Sequence, residues 1–150
     1  MSLEVSQLGI MIGTLLVFVY IAWVDLRTME IPDWCHLILL GFACLQIFWG
    51  SALSLETREL GLVAMSLPMM FVNLAREGSF GGGDIKMCGA TGFLLGAPQM
   101  LTGAVLALML AGMYGGIALL LKIKKPKDSF ALGPFLSIGF ISSMLSDLLG

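Results

Sequence analysis

Charge is scarce in this chain. Only 12% of its 150 residues are Asp, Glu, Lys or Arg, against about 25% in a soluble domain. With 58% hydrophobic residues and a mean hydropathy of +0.97, this shortage argues against an ordinary soluble domain. It points instead to a polytopic membrane protein. No basic stripe interleaved with aromatics runs along the chain, so no nucleic-acid surface is expected. Histidine occurs once, and Cys35, Cys44 and Cys88 form no C-x-x-C pair. A structural zinc site is therefore not expected, nor is any other metal or cofactor. An odd number of cysteines in a membrane setting argues against a disulfide framework. Cys44 and Cys88 read as small packing residues. The N-terminus lacks the basic n-region and A-x-A site of a secretory signal, and carries Glu4 instead. It reads as a retained first transmembrane helix. No linker, repeat or low-complexity stretch divides the chain, so residues 1–150 read as a single domain.

What is present is a series of apolar segments, at 7–24, 37–50, 59–75, 85–97, 99–122 and 133–149. They predict an all-α fold, a bundle of six transmembrane helices with short second and fourth members. Crossing the hydrocarbon takes about 20 helical residues. The fourth segment covers only ~20 Å. Asp84, at its start, is therefore expected below the membrane surface and in a cavity, because lipid-exposed irregular backbone is not tolerated at depth. Gly9-x-x-x-Gly13 and Gly112-x-x-x-Gly116 are expected to pack helices closely within the bundle. Arg27, Arg76, Lys86, Lys122, Lys124, Lys125 and Lys127 fall in one set of loops, and only Arg58 falls in the other. The positive-inside bias then turns both termini outward and puts Asp25 and Asp84 on the cytoplasmic side.

Two acidic motifs stand at the ends of apolar segments. Carboxylates are costly at a bilayer boundary, which makes such a pair a functional candidate. The first is Gly81-Gly82-Gly83-Asp84-Ile85-Lys86. Its plain structural reading is a glycine turn with Asp84 capping the next helix, and capping is compatible with catalysis. Three glycines also free the backbone for unusual angles and leave it open to an extended peptide. Lys86 either helps to hold Asp84 ionised or reaches the lipid headgroups.

The second motif runs from Asp25-Leu26-Arg27 to Ile31-Pro32-Asp33. Asp25 follows directly on an apolar helix, and a carboxylate is unfavourable at a helix C-terminus. That misfit suggests function, or a partner such as Arg27. Pro32 turns the chain before helix 2, and Asp33 is expected to cap that helix. Glu30 reads as a solvated loop charge. His36 is a lone interfacial histidine, more simply tolerated than catalytic.

Peptide hydrolysis needs one group to take a proton from water and another to give one to the amide. Two nearby carboxylates that cannot both ionise share a proton and serve as base and acid together. Asp25 and Asp84 can form such a dyad without a metal or a covalent intermediate. No serine–histidine–acid set competes with it.

With these residues in view, the chain resembles the type IV prepilin peptidase family of G-x-G-D membrane aspartic proteases, which includes the archaeal preflagellin peptidases. The D-x-R…I-P-N/D run falls on Asp25, Arg27, Ile31, Pro32 and Asp33. The G-x-G-D-x-K signature falls on Gly81, Gly83, Asp84 and Lys86. A softer match to a G-P-F motif falls on Gly133, Pro134 and Phe135. The resemblance implies that Asp25 and Asp84 are catalytic. Gly81, Gly82, Gly83, Lys86, Arg27, Pro32, Asp33, Gly133 and Pro134 would then bind substrate or support the site. It further implies removal of a short basic leader from prepilin-like or preflagellin-like substrates at the cytoplasmic face of a prokaryotic membrane. The implied partners are those substrates and the lipid bilayer, and a homo-oligomer is compatible with the sequence. Larger members of the family carry an extra cytoplasmic segment with paired C-x-x-C motifs and also methylate the new N-terminus. Nothing here matches that segment, so peptidase activity without methylation is expected, as in the short peptidases of tight-adherence pilus systems. Two other classes fit the buried acids, a small proton- or ion-conducting bundle and a catalytically silent pilus-assembly factor.

Overall fold

The computed structural model describes residues 2–123 and 130–149, with side chains over 5–123 and 130–147. Lys124, Lys125 and Lys127, which weighed in the charge count, lie outside the described residues. Six helices follow one another: α1 (Ser2–Thr28), α2 (Asp33–Phe48), α3 (Leu55–Ala75), α4 (Gly82–Leu95), α5 (Ala97–Leu120) and α6 (Gly133–Leu149). No strand occurs among the described residues. Two stretches, Val5–Thr28 and Ala97–Leu120, are long and apolar enough to cross a membrane. At ~1.5 Å per residue, α2 and α4 are about 24 and 21 Å long.

Local chemistry sets the boundaries. Met29 takes a left-handed conformation (φ 53°) and donates its N–H to the Asp25 carbonyl at 2.9 Å, which ends α1. Pro32 is extended (ψ 135°) and opens α2. The Ser54 side chain accepts the Thr57 N–H at 3.2 Å and caps α3. Gly96 (φ 80°) makes the break between α4 and α5. A side chain there would be strained by that angle and would also meet Leu53 and Thr57. α4 begins at Gly82, so Gly82 and Gly83 belong to its first turn, and Gly81 is its extended N-cap.

α4 lies at the centre of the packing, against α3, α2, α5 and α6, while α5 pairs with α6 and α1 with α6 and α2. Phe18, Ile21, Leu39, Met87, Leu136 and Phe140 fill the interior. The closest crossings are glycine on glycine. A Cβ at Gly61 or Gly92 would overlap the other's backbone, and Gly103 and Gly139 are related in the same way. These are not the expected glycines. Gly13 touches only the Phe42 ring, and Gly9, Gly112 and Gly116 face open space. Spacing alone does not reveal which side of a helix meets a neighbour.

Arg58 differs too. It sits in the first turn of α3, not in a loop, and is fully buried. Its guanidinium donates to the Phe93 and Leu94 carbonyls at 3.0 and 3.2 Å. It also donates to Gln46 Oε1 and Ser51 Oγ, both at 3.0 Å. The charge thus caps the C-terminal carbonyls of α4. All three cysteines are free. Cys35 and Cys88 are buried, whereas Cys44, expected as a packing residue, is exposed.

Candidate functional site

Asp25 lies in the last turn of α1 and is 4% exposed. Its Oδ2 accepts the Gly133 N–H at 2.8 Å, across 108 positions of sequence. Gly133 is the first residue of α6, so the carboxylate faces the positive end of that helix. This contact answers the misfit at the end of α1. Arg27 is not the partner, because its guanidinium stacks over Trp23 at 4.4 Å from the ring centre.

Asp84 is the third residue of α4. It accepts the backbone N–H of Gly81, the N-cap of the helix, as the third residue of a capping box does. Capping and site placement therefore coincide. One carboxylate oxygen caps, while the other, Oδ1, is buried without a hydrogen-bond partner. A buried acceptor left bare in this way is costly, and Asp84 lines a cavity.

Both aspartates line one cavity of about 1150 Å³, and the charge of Asp25 bears directly on Asp84. The cavity expected around Asp84 is present. Two carboxylates that line one cavity can hold a single proton between them when they approach, and pass it to and from a water. α5 also lines the space, at Gly112, Gly115 and Gly116. Phe130 and Leu132, from the segment before α6, close another side. Arg76 and Glu77, at the end of α3, bring charge to its edge.

The neighbouring motif residues hold this end of the bundle together. A Cβ on Gly83 would come within 3.1 Å of the Ile31 Cβ, so Gly83 lets α4 sit against the turn at Ile31 and Pro32. None of Gly81, Gly82 and Gly83 has a positive φ. The unusual backbone angles expected of them are absent, and closeness is what Gly83 supplies. Asp33 does not cap α2, since Pro32 is the N-cap. Its carboxylate pairs with Lys86 Nζ at 2.7 Å, which joins α2 to α4 just outside the cavity. Lys86 thereby pairs with Asp33 and not with Asp84. Pro134 is buried beside Gly133 in the first turn of α6. His36 is buried with both ring nitrogens unpartnered and does not line the cavity. Sequence reasoning missed the α5 glycines, Arg76 and Glu77 as cavity residues. For Gly112 and Gly116 the signal was visible in their spacing but was read as packing.

The family described as type IV leader peptidases matches residues 12–120, a span that holds both aspartates and all of α2 to α5. The prepilin leader peptidase/N-methyltransferase of Bacillus subtilis (strain 168) is 25% identical over 144 residues, covering 96% of this chain and 57% of the relative. The chain thus spans a little over half the length of that relative. No solved structure matches it. On the extent of the family match, the chain belongs to the type IV leader peptidase family.

Proposed function

We propose that this chain is a membrane-embedded aspartic endopeptidase that removes the short basic leader from prepilin-like or preflagellin-like substrates. The observation that carries the reading is the placement of Asp25 and Asp84 on one cavity, within a chain of this family. In the proposed reaction one carboxylate takes a proton from water as the water oxygen attacks the scissile carbonyl carbon. The other gives its proton to the amide nitrogen as the C–N bond breaks. The bare Oδ1 of Asp84 suits a group that must contact water or substrate.

Substrate binding follows the same geometry. The open α5 face at Gly112, Gly115 and Gly116 leaves space for a substrate segment, and exposed Glu77 suits a basic leader. Gly81 and Gly82 leave backbone approachable beside Asp84. Pro32, Asp33 and Lys86 hold the two motifs in register, and Arg27 anchors the end of α1. We further propose that all six helices insert in the bilayer as one domain, with the aspartates at the cytoplasmic boundary and both termini outside. Tyr20, Trp23 and Trp34 gather at the aspartate end, as interfacial aromatics do, and Arg27, Arg76 and Lys86 lie at the same end. Only residues 29–32 join α1 to α2, which leaves no extra cytoplasmic segment there. The proposed activity is accordingly cleavage without methylation.

Co-expression with a prepilin-like substrate, followed by mass spectrometry of that substrate, tests this reading. The wild type yields a shortened product with no added methyl mass, and Asp84→Asn leaves the precursor intact. An uncleaved precursor with the wild-type chain inserted in the membrane contradicts it.

A further inference from the structure

We propose that Gly133 is a positioning residue. Its N–H fixes one oxygen of Asp25, and its missing side chain is what lets the carboxylate occupy that place. This rests on the proposed role of Asp25, although the contact itself does not.

Four observations converge. The hydrogen bond is 2.8 Å long and buried, so bulk water cannot stand in for it. The helix beginning at Gly133 turns its positive end on a carboxylate that the end of α1 disfavours. A Cβ at position 133 would lie 2.6 Å from Asp25 Oδ2, closer than side-chain atoms pack, and 3.0 Å from both its Cγ and its Cβ. Gly133 also has no positive φ, so its backbone conformation does not demand glycine. The carboxylate does. Pro134 follows in the first turn of α6, where a residue without an N–H leaves no donor unused. The start of α6 is thereby held where the Gly133 N–H meets α1.

With Oδ2 held, Asp25 keeps one oxygen for water and for the proton shared with Asp84. A shift of about 1 Å in such a group costs on the order of 100-fold in rate. Gly133→Ala therefore lowers kcat by about 100-fold while KM changes little, because the methyl group acts on Asp25 and not on the substrate.

The deciding experiment is a double-mutant cycle on melting temperature in detergent, using the full chain and the variants Gly133→Ala, Asp25→Ala and the double. Gly133→Ala is expected to lower the melting temperature by several degrees with Asp25 present. In the Asp25→Ala background Oδ2 and Cγ are gone and only the 3.0 Å approach to the Cβ of residue 25 remains, so the loss becomes clearly smaller. An equal loss in both backgrounds overturns the proposal, since a glycine needed only by α6 would not sense residue 25. Wild-type kcat in Gly133→Ala overturns it as well. If the wild type cleaves no prepilin-like substrate, the proposed function fails, and the melting cycle still decides the role of Gly133.

Discussion

Neighbouring glycines in the Gly81–Asp84 turn differ in what surrounds them. Gly83 abuts Ile31, whereas a Cβ at Gly82 would meet nothing. Gly83→Ala therefore overpacks the contact between α4 and the turn before α2, at a cost of about 1–3 kcal/mol, readable as a lower melting temperature. Gly82→Ala is expected to leave stability unchanged or raise it by up to about 1 kcal/mol. If Gly82 keeps a path open for substrate backbone, the same change still slows cleavage. Stability and rate then move independently at adjacent residues, and equal rates for Gly82→Ala and the wild type would remove Gly82 from the site. Asp33 and Lys86 belong to a different class. Their ion pair is exposed on both sides, where such pairs add little stability. Lys86→Met is expected to leave the melting temperature nearly unchanged, and any loss of cleavage would reflect the register of α2 against α4.

Among the elements, α4 is short, and its two ends are held by different means. At one end Asp84 caps the first turn. At the other, Arg58 takes the carbonyls of Phe93 and Leu94 and ties in Gln46 and Ser51. Removing a buried, charged donor leaves those acceptors without a partner, and hydrogen bonds to charged groups are worth about 1.5–3 kcal/mol each. Arg58→Ala is accordingly expected to destabilise the bundle by at least about 3 kcal/mol, as a fall in melting temperature in detergent. An unchanged melting temperature would show that α4 needs no such clamp. α5 poses the opposite case. Its glycines at 112, 115 and 116 support no packing yet line the cavity. Gly116→Leu is expected to fold as the wild type does and to raise KM for a prepilin-like substrate. An unchanged KM would show that substrate does not use the α5 wall.

At the level of the whole molecule, the six helices were legible because apolar runs of helical length are separated by polar or glycine-rich breaks. Asp25 and Asp84 were legible because a carboxylate at a helix boundary is conspicuous against so little charge. Contacts between distant parts of the chain were not. The hydrogen bond from Gly133 to Asp25 joins residues 108 positions apart, and nothing local announces it. Arg58 looked like a loop charge because polar residues flank the apolar run, although the helix extends through them. The glycine pairs Gly61 with Gly92 and Gly103 with Gly139 have no short-range signature, because the match lies across two helices. Each of these depends on which helix faces meet, and that is decided by the assembled bundle. The central claim is that Asp25 and Asp84 act as one unit on one peptide bond. Its most direct test is the residual cleavage rate of purified Asp25→Asn, Asp84→Asn and the double variant on a prepilin-like substrate. Each single change is expected to cost at least about 100-fold, the lower range for positioned acid–base groups. The double should then be no slower than the slower single, as for groups that work together. A double variant slowed by the product of the two single losses, or a single variant that cleaves at the wild-type rate, would contradict the dyad.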